Sequence, residues 1–397
     1  LLSGRVSILS NLSGTFANRY LYVSQFGNND TYLQDLLNLK SDNIIVIDKN
    51  YEINNWNIEV PSGKSIVCNS ILTTSDENIT DNSYLFKLGE GASVNGLRIE
   101  MYSVPTYVIL FSSNNTIENV KINYNRKVDN IYHYPIFDED ILDNKHNNTF
   151  KNIEFTNYQS THSEGGYFVG IWLKKNNHNF LIENIKINNI KVRGNDYIAT
   201  GLGVIRGILI SNDLTVTEYK ELCSGNINNI FFSDIQTVDA DGNRMIDDAD
   251  GIYLGSGNVF YGYTNVNISN CIFKDCGKRC FKIQGEGVSI ENVYASGDQF
   301  FAELVGKKLT LNNITIIGGS FLGGELDDCT ITNVNWENFA AKSGYVIENE
   351  EINKQMEELF RLFKKMMEKY PPDSMPGIDK AQAEQLKMML SNYDSMK

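Results

Sequence analysis

The chain lacks several features that mark common protein classes. Its 397 residues contain no apolar run close to the roughly 18 residues needed to cross a bilayer, so no membrane span is expected. Only 6 prolines occur, which excludes a proline-rich linker protein. The 6 cysteines are too sparse for a disulfide scaffold and include no CxxC pair, so we expect free, buried thiols.

Positive charge is also scarce, since 35 basic residues stand against 49 acidic ones and give a net charge of −14. Binding to nucleic acid or to an anionic membrane favours the opposite balance, so neither partner is expected. The chain has no P-loop, HExxH or GxSxG motif, and its four histidines are scattered. We expect them to be exposed loop residues rather than zinc ligands.

Asparagine is abundant, and it marks a short repeat of the form apolar, any, Asn, apolar, any, apolar. The repeated Asn stands at positions 119, 152, 184, 229, 270, 292, 313 and 333, and an earlier copy has Gly96 in that place. Successive positions are 20 to 23 residues apart at both ends of the series and 32 to 45 apart in its middle. A base period near 21 residues with longer insertions is typical of a solenoid.

The alternation within each copy predicts a strand rather than a helix. A second short strand is predicted ahead of most copies, at 170–173, 207–210, 251–254, 280–283 and 301–304. Two or three short strands per turn of ~21 residues predict an all-β fold, a parallel β-helix whose coils stack ~4.8 Å apart. The repeated Asn suits a corner in the left-handed region, and stacked Asn side chains can bond along the axis.

Composition changes sharply near residue 348 and predicts a module boundary. Residues 1–347 hold 47 Asn and 2 Met, whereas residues 348–397 hold 3 Asn and 7 Met. Apolar residues spaced by three and four in the tail predict an α-helical hairpin that is broken at Pro371 and Pro372. Its function is open between a trimer seam, a docking surface and a cap on the last coil.

We therefore divide the chain into an N-terminal segment with a cap (1–60), a parallel β-helix (61–347) and a helical tail (348–397). Both ends of a solenoid expose strand edges that need covering. At the N-terminal end, segment 29–40 predicts a short capping helix, because its leucines recur on one helical face.

Segment 16–67 resembles the opening of the pectate-lyase-like right-handed β-helix proteins. There, a strand and an FG pair precede a short helix, a strand, a Y-x-I strand and a P-x-G turn, and FG, YEI and PSG follow in that order here. With the Asn-marked coils, the resemblance covers about residues 20–347. It implies a right-handed parallel β-helix like those of polysaccharide lyases, polygalacturonase-type hydrolases and bacteriophage tailspikes that bind or degrade host glycans. The helical tail is more similar to a tailspike, which implies a homotrimer.

Insertions lengthen the repeat between positions 119 and 270, and long excursions from a solenoid usually build its binding face. An aromatic ring can cover the apolar face of a sugar while a carboxylate accepts its hydroxyl protons. The aromatic and acidic residues concentrated there include Tyr132, Tyr134, Phe137, Glu164, Tyr167 and Trp172. Glu164, Tyr167 and Trp172 are predicted to bind substrate, and the alternative is that they pack the loops onto the coils.

The densest acidic cluster lies at 239–254. Aligning the strands by their distance to the next repeat puts Arg206, Asp250 and Arg279 in one outward column and Tyr253, Lys282 and Glu303 in the next. Glycoside hydrolysis needs an acid and a second carboxylate ~5 Å apart for retention or ~6.5–9.5 Å apart for inversion. The predicted pair is Asp248 or Asp250 with Glu303, and Asp247 is an alternative partner. Arg279 would keep one carboxylate ionised.

The other members of these columns are predicted to bind or transform the substrate. Arg206 and Tyr253 are predicted to contact it, and Arg279 and Lys282 are predicted to belong to the catalytic set. An Asp pair followed by an Arg and a Lys also resembles the order in polygalacturonases, although the Arg and Lys here are one residue further apart and no histidine follows His178. A lyase would instead use Lys282 as base and Tyr253 as acid.

The acidic segment also permits a calcium loop. The residues at positions 1, 3, 5, 9 and 12 of such a loop are Asp239, Asp241, Asn243, Asp247 and Asp250. Arg244 stands at position 6, where glycine is usual. No cofactor is required for the predicted chemistry, calcium is one option, and a solvated acidic turn is another.

These features predict a tailspike-like protein that binds a bacterial surface polysaccharide and cleaves it, by hydrolysis in preference to elimination. Two other functions stay open: a non-catalytic receptor-binding or structural spike, and a polysaccharide lyase. The predicted location is a virion tail or the extracellular space, with other virion tail proteins as further partners. A secreted bacterial enzyme is a third setting.

Overall fold

A computed structural model describes most of the chain between residues 20 and 337. The described ranges are 20–26, 30–40, 44–53, 56–74, 83–129, 131–139, 145–174, 177–194, 203–211, 221–245, 248–255, 263–297, 300–318, 320–322 and 326–337. Within them, the pairing between strands is parallel and runs from coil to coil. The fold is therefore the parallel β-helix that the repeat predicts.

Most of the elements are short, as expected for a solenoid. Besides a 3-10 helix (Val23–Gln25) and α1 (Asp30–Leu37), they are β1 (Tyr20–Tyr22), β2 (Ile44–Ile47), β3 (Tyr51–Ile53), β4 (Ile58–Val60), β5 (Ser65–Cys68), β6 (Ile71–Thr74), β7 (Phe86–Leu88), β8 (Ser93–Asn95), β9 (Arg98–Met101), β10 (Tyr107–Phe111), β11 (Thr116–Tyr124), β12 (Lys127–Val128), β13 (Tyr132–Asp138), β14 (Lys145–His146), β15 (Thr149–Thr156), β16 (Gln159–Ser160), β17 (Tyr167–Leu173), β18 (Asn177–Arg193), β19 (Val204–Ser211), β20 (Glu221–Val238), β21 (Asp248–Gly255), β22 (Tyr263–Cys276), β23 (Arg279–Glu286), β24 (Ser289–Ser296), β25 (Phe300–Lys307), β26 (Thr310–Ile317), β27 (Ser320–Leu322), β28 (Leu326–Asp327) and β29 (Thr330–Glu337).

Ladders of parallel strands run along the helix axis; the two longest are called the front ladder and the corner ladder, and a shorter one joins β3, β6 and β9. The front ladder joins β4, β7, β10, β13, β17, β19, β21, β23, β25 and β27. The corner ladder joins β2, β5, β8, β11, β15, β18, β20, β22, β24, β26 and β29. The five predicted second strands all lie within β17, β19, β21, β23 and β25, which confirms them.

The repeat residue forms a corner in every copy. The backbone φ lies between 53° and 58° at Asn119, Asn152, Asn184, Asn229, Asn270, Asn292, Asn313 and Asn333. Asn tolerates this left-handed conformation better than other side chains do. At Gly96, φ is 83° and an added Cβ would collide with the carbonyl oxygen of Cys68, so only glycine fits.

The corner side chains form the predicted ladder of hydrogen bonds. The amide of Asn152 donates to Asn119 at 2.9 Å, Asn184 to Asn152 at 2.8 Å, and Asn229 to Asn184 at 2.6 Å. The ladder shifts at Asn270, which donates instead to Asn228 at 2.7 Å. Each bond ties one coil to the next, so the corner positions also set the register of the coils.

The core lies inside the coils, where apolar side chains stack in columns. One column of the corner ladder contains Val94, Ile117, Phe150, Ile182, Ile227, Ile268, Ile290 and Leu311, all buried. Burying each such side chain contributes about 1.5–3 kcal/mol. The six cysteines are thiols that form no disulfide with one another, and five of them are buried, as expected.

Helix α1 (Asp30–Leu37) packs at the N-terminal end of the solenoid. Its Leu33, Leu36 and Leu37 are buried in the main core. The helical tail predicted for 348–397 lies outside the described residues. Among the residues that are described, no helix is long and apolar enough to cross a membrane.

One histidine lies in the core, contrary to the expectation that all four occupy exposed loops. His133 is fully buried, with Nδ1 2.7 Å from the carbonyl oxygen of Pro105 and Nε2 2.6 Å from the hydroxyl of Tyr124. Because a carbonyl only accepts, Nδ1 carries the proton and Nε2 accepts the bond from Tyr124. Burial lowers the pKa of His133 to about 3, against the bond to Pro105, which raises it.

His133 should make stability depend on pH. The unfolded chain protonates this imidazole near pH 6.5, whereas the folded protein resists protonation down to about pH 3. The unfolded state therefore binds more protons between these values, and the free energy of unfolding falls as the pH is lowered through this window. We expect His133→Gln to flatten the dependence of the urea midpoint on pH between 6.5 and 4.5. The exposed His146→Gln should leave it unchanged, and equal slopes in all three proteins would contradict this assignment.

Candidate functional site

Arg206, Asp250 and Arg279 lie side by side on β19, β21 and β23 of the front ladder. The strand register pairs Arg206 with Asp250 and Asp250 with Arg279, as the repeat alignment predicts. Asp250 Oδ2 lies 2.6 Å from Nη1 of Arg206, and its Oδ1 accepts a bond of 2.5 Å from Nε of Arg279. The Asp250 side chain is 0% exposed, so two guanidinium groups enclose it.

Asp248 stands two residues earlier on β21 and is 39% exposed. Its carboxylate accepts bonds of 3.0 Å from Nη2 of Arg206 and 2.6 Å from Nη2 of Arg279, and Lys278 lies 3.4 Å away. Burial by itself would raise the pKa of Asp248, but the charges of Arg206 and Arg279 outweigh it and hold the pKa well below its usual range. Asp248 is therefore an accessible carboxylate that stays ionised.

Glu303 reaches the same arginine from β25. Its carboxylate pairs with Nη1 of Arg279, and its side chain is 29% exposed. Burial would lower the pKa of Arg279, but Asp250 and Glu303 outweigh it and raise that pKa further. Arg279 thus holds two accessible carboxylates, Asp248 and Glu303, at its two terminal nitrogens.

The neighbouring column on the same face contains Tyr253, Lys282 and Glu303, also as predicted. Tyr253 is 8% exposed, and its ring lies 4.9 Å from both the Arg206 guanidinium carbon and the Lys282 ammonium. Its hydroxyl donates to Oε1 of Gln284 at 3.2 Å. The Tyr253 ring therefore packs against two cations and is not available to contact a ligand.

Lys282 differs from the other cations of the site. No carboxylate of the described residues lies within ion-pair distance of its ammonium, although Lys278, Arg206 and Arg279 each have such a partner. Burial, followed by the charge of Arg279, lowers the pKa of Lys282. An ammonium of this kind is available to bind an anionic group or, once deprotonated, to act as a base.

We call these seven charged side chains the charged cluster. It has four cations (Arg206, Lys278, Arg279 and Lys282) against three carboxylates (Asp248, Asp250 and Glu303), a net charge of +1 in a chain of −14. The cluster is therefore locally positive, while two of its carboxylates remain open to solvent.

The predicted sugar-binding aromatics lie further along the same ladder. Tyr167 and Trp172 are half-buried on β17, and Nε1 of Trp172 donates to the hydroxyl of Ser211 at 2.8 Å. Glu164 is exposed in the turn before β17. Strand β17 pairs directly with β19, where Val169 is in register with Arg206, so the aromatics adjoin the charged cluster.

Two of the predicted roles do not fit the geometry. Asp250 was a candidate for the catalytic pair, but it is enclosed by arginines and cannot touch a substrate. Tyr253 was expected to contact the substrate, but it is largely buried beneath two cations. Both residues position their neighbours instead.

The calcium loop also receives no support. Oδ1 of Asp239 accepts the backbone N–H groups of Asp241 and Asn243, and its Oδ2 accepts the Asn243 amide at 3.0 Å. Asp250, the last predicted ligand, is held by the arginines, and Asp247 lies outside the described residues. Within the described chain, no group of three or more His, Cys, Asp or Glu side chains could hold a metal ion.

Sequence reasoning missed three residues of this region. Lys278, directly before Arg279, pairs with Asp248, and Gln284 accepts a hydrogen bond from the hydroxyl of Tyr253. Tyr107, on β10, is the third such residue. Aligning β10 and β13 with the later strands would have placed Tyr107 beside Tyr134, with which it is in register.

Comparison with known proteins gives likeness in fold only. No protein-family model matches the chain, and no curated protein does. Among solved structures, it is similar to a mannuronic-acid-specific polysaccharide family 6 lyase from human gut microbiota (13% identity, TM-score 0.41, 95% of this chain and 99% of that one). It is also similar to the catalytic domain of a GH87 α-1,3-glucanase in complex with nigerose (13%, 0.39, 85% and 71%) and to the receptor-binding domain of the siphovirus 9NA tailspike (10%, 0.37, 84% and 78%). At these identities and TM-scores, the activity of none of these proteins can be assigned to this chain.

Proposed function

We propose that this protein binds a bacterial surface polysaccharide and hydrolyses its glycosidic bonds at the charged cluster. The observation that carries the proposal is the pair of accessible carboxylates, Asp248 and Glu303, held by the two terminal nitrogens of Arg279. Both carboxylates contact one guanidinium on an open face. Glycoside hydrolysis requires two carboxyl groups that are about 5 Å apart for retention or about 6.5–9.5 Å apart for inversion.

Asp248 acts as the carboxylate that stays ionised. Its pKa is held well below the usual range by Arg206 and Arg279, so it cannot donate a proton at neutral pH. It either attacks the anomeric carbon or removes a proton from the attacking water. Glu303, the second accessible carboxylate at Arg279, takes the other carboxyl role that the reaction requires.

Asp250 and Tyr253 hold the cations in place. Asp250 binds Arg206 and Arg279 from the coil between them, and Tyr253 lies against Arg206 and Lys282. Because the cations are fixed, the carboxylates of Asp248 and Glu303 are held in one relative position. Such preorganisation lowers the barrier of a hydrolytic reaction.

The test is the chemistry of the product. Purified protein is incubated with capsule and lipopolysaccharide from candidate hosts, and new reducing ends are counted while the absorbance of unsaturated sugars is followed. Hydrolysis raises the reducing ends without that absorbance. A polysaccharide that binds but is never cleaved would support a non-catalytic receptor-binding spike and overturn the hydrolase.

A polysaccharide lyase is the second candidate, and Lys282 favours it. Its ammonium has no ion-pair partner among the described residues and its pKa is lowered, which are properties of a base. Arg206 or Arg279 would neutralise the carboxylate of a uronic acid. A rise in absorbance from unsaturated product, lost in Lys282→Met, would select elimination.

The setting we propose is a tailspike on a virion, acting as a homotrimer at the surface of its host. The resemblance of segment 16–67 to that group and the heptad spacing of the tail support this setting. Light scattering of the purified full chain, with a mass three times that of one copy expected, tests the trimer.

A further inference from the structure

A continuous patch of aromatic rings lies on the outer face of the front ladder, next to the charged cluster. Its members, called the aromatic strip below, are Tyr107, Tyr132, Tyr134, Phe137, Tyr167 and Trp172. They come from β10, β13 and β17, three consecutive strands of the ladder. Strands in such a ladder are ~4.8 Å apart, so the rings form one surface along the helix axis.

The rings are in mutual contact, and all of them except the buried Phe137 keep some exposure to solvent. Tyr107 lies 4.7 Å from Phe137, Phe137 5.0 Å from Trp172, and Tyr132 5.2 Å from Tyr167, measured between ring centroids. Tyr132 is 49% exposed, and Tyr107 is half-buried. A monomer seldom leaves a patch of large apolar side chains open without a use for it.

The strip differs in charge from the cluster that adjoins it. All six of its side chains are neutral, and burial raises the pKa of Tyr107, Tyr134 and Tyr167, so their hydroxyls stay protonated. Tyrosine suits a sugar, because the ring covers an apolar sugar face while the hydroxyl bonds to sugar hydroxyls. The cluster, with a net charge of +1, suits an anionic unit instead.

The two surfaces are joined along one column of side chains. The register runs from Phe137 to Trp172, then to Leu209 and Tyr253, and from there to Lys282. Trp172 and Tyr134 pack against Leu209 and Tyr253 in a small apolar cluster on this outer face. One extended chain lying along the axis would therefore contact both the strip and the charged cluster.

We propose that the aromatic strip binds uncharged sugar units of the same polymer whose anionic unit enters the charged cluster. The inference rests on the proposed function and narrows the substrate class to a heteropolysaccharide with both neutral and acidic sugars. Continuity of the strip with the cluster is the reason to choose this occupant over a second copy of the chain.

The experiment compares binding and cleavage for three purified polysaccharides: a neutral homopolymer, a uronic acid homopolymer and a bacterial heteropolysaccharide with both kinds of unit. Tyr132→Ala and Tyr107→Ala should each weaken binding of the heteropolysaccharide about 3- to 10-fold and raise KM, with kcat nearly unchanged. Tyr294→Ala is the matched control, because Tyr294 is 36% exposed but lies on the corner ladder. Trp172 is one of only 3 tryptophans, so its fluorescence should change on binding, and Trp172→Phe should remove that change.

The outcomes separate this inference from the function on which it rests. If the heteropolysaccharide is cleaved but the Tyr132 and Tyr107 variants bind it like the wild type, the strip is not a subsite and the hydrolase stands. If those variants bind sugar normally but alter the mass in light scattering, the strip is a contact between copies and the inference is overturned. If the wild type binds none of the three polymers nor any host polysaccharide, the proposed function fails and the inference fails with it.

Discussion

Asp248→Asn and Glu303→Gln are each expected to lower the rate of polysaccharide cleavage by about 10²- to 10⁴-fold, the usual effect of losing a general acid or base. Asparagine and glutamine keep the shape of the side chains but can neither remove nor supply the required proton. Binding should change far less, because Arg206, Lys282 and the aromatic strip remain. Initial rates of reducing-end release, measured with the dissociation constant of the same polymer, separate the two effects.

The control is Asp275→Asn, which removes one negative charge from an exposed position on β22. Asp275 has a φ of 51°, which asparagine tolerates, so this variant should fold and cleave like the wild type. Full activity in both cluster variants would move the catalytic pair elsewhere. Because the pKa of Asp248 is held well below its ordinary value near 3.9, any loss of rate between pH 4 and 6 should come from another group.

Asp250→Asn is expected to lower the free energy of unfolding by about 3–5 kcal/mol, the usual cost of breaking a buried ion pair from one side. Asp250 is fully buried, and its removal leaves the guanidiniums of Arg206 and Arg279 beside each other without the carboxylate that separates them. Urea unfolding at neutral pH measures the change. Asp275→Asn again serves as the control for an exposed site.

A second variant tests whether charge is the cause. In an Arg206→Met background, Asp250→Asn removes a carboxylate from one buried cation instead of two, so it should cost clearly less than it does in the wild type. Equal costs in the two backgrounds would mean that Asp250 contributes through packing alone. A stability of Asp250→Asn close to that of the wild type would show that the buried pair contributes little.

Much of this fold could be predicted because each coil repeats one local signal. The Asn at positions such as 152 and 184 marks a corner, and the corner must adopt a left-handed backbone conformation that few residues tolerate. Counting from corner to corner also gives the register. That count places Arg206, Asp250 and Arg279 in one column, and the strand pairing confirms it.

Burial within the site could not be predicted in the same way. Asp248 and Asp250 are two residues apart and both point outward from β21, so the pattern treats them alike. One is 39% exposed and the other 0%, because the arginines above and below close over Asp250. The same limit applies to His133, which alternation could not distinguish from the exposed His146.

The sequence by itself determined the period, the corners and the columns, because these depend on spacing along the chain and on the conformational freedom of single residues. Only the tertiary structure decided which carboxylate is enclosed, which ammonium of the charged cluster has no ion-pair partner among the described residues, and which rings join into a strip. Those properties depend on distances between side chains that are 24 to 42 residues apart in the chain, as in the bonds from Arg279 to Glu303 and from Arg206 to Asp248. Spacing along the chain carries no information about how such side chains turn toward each other.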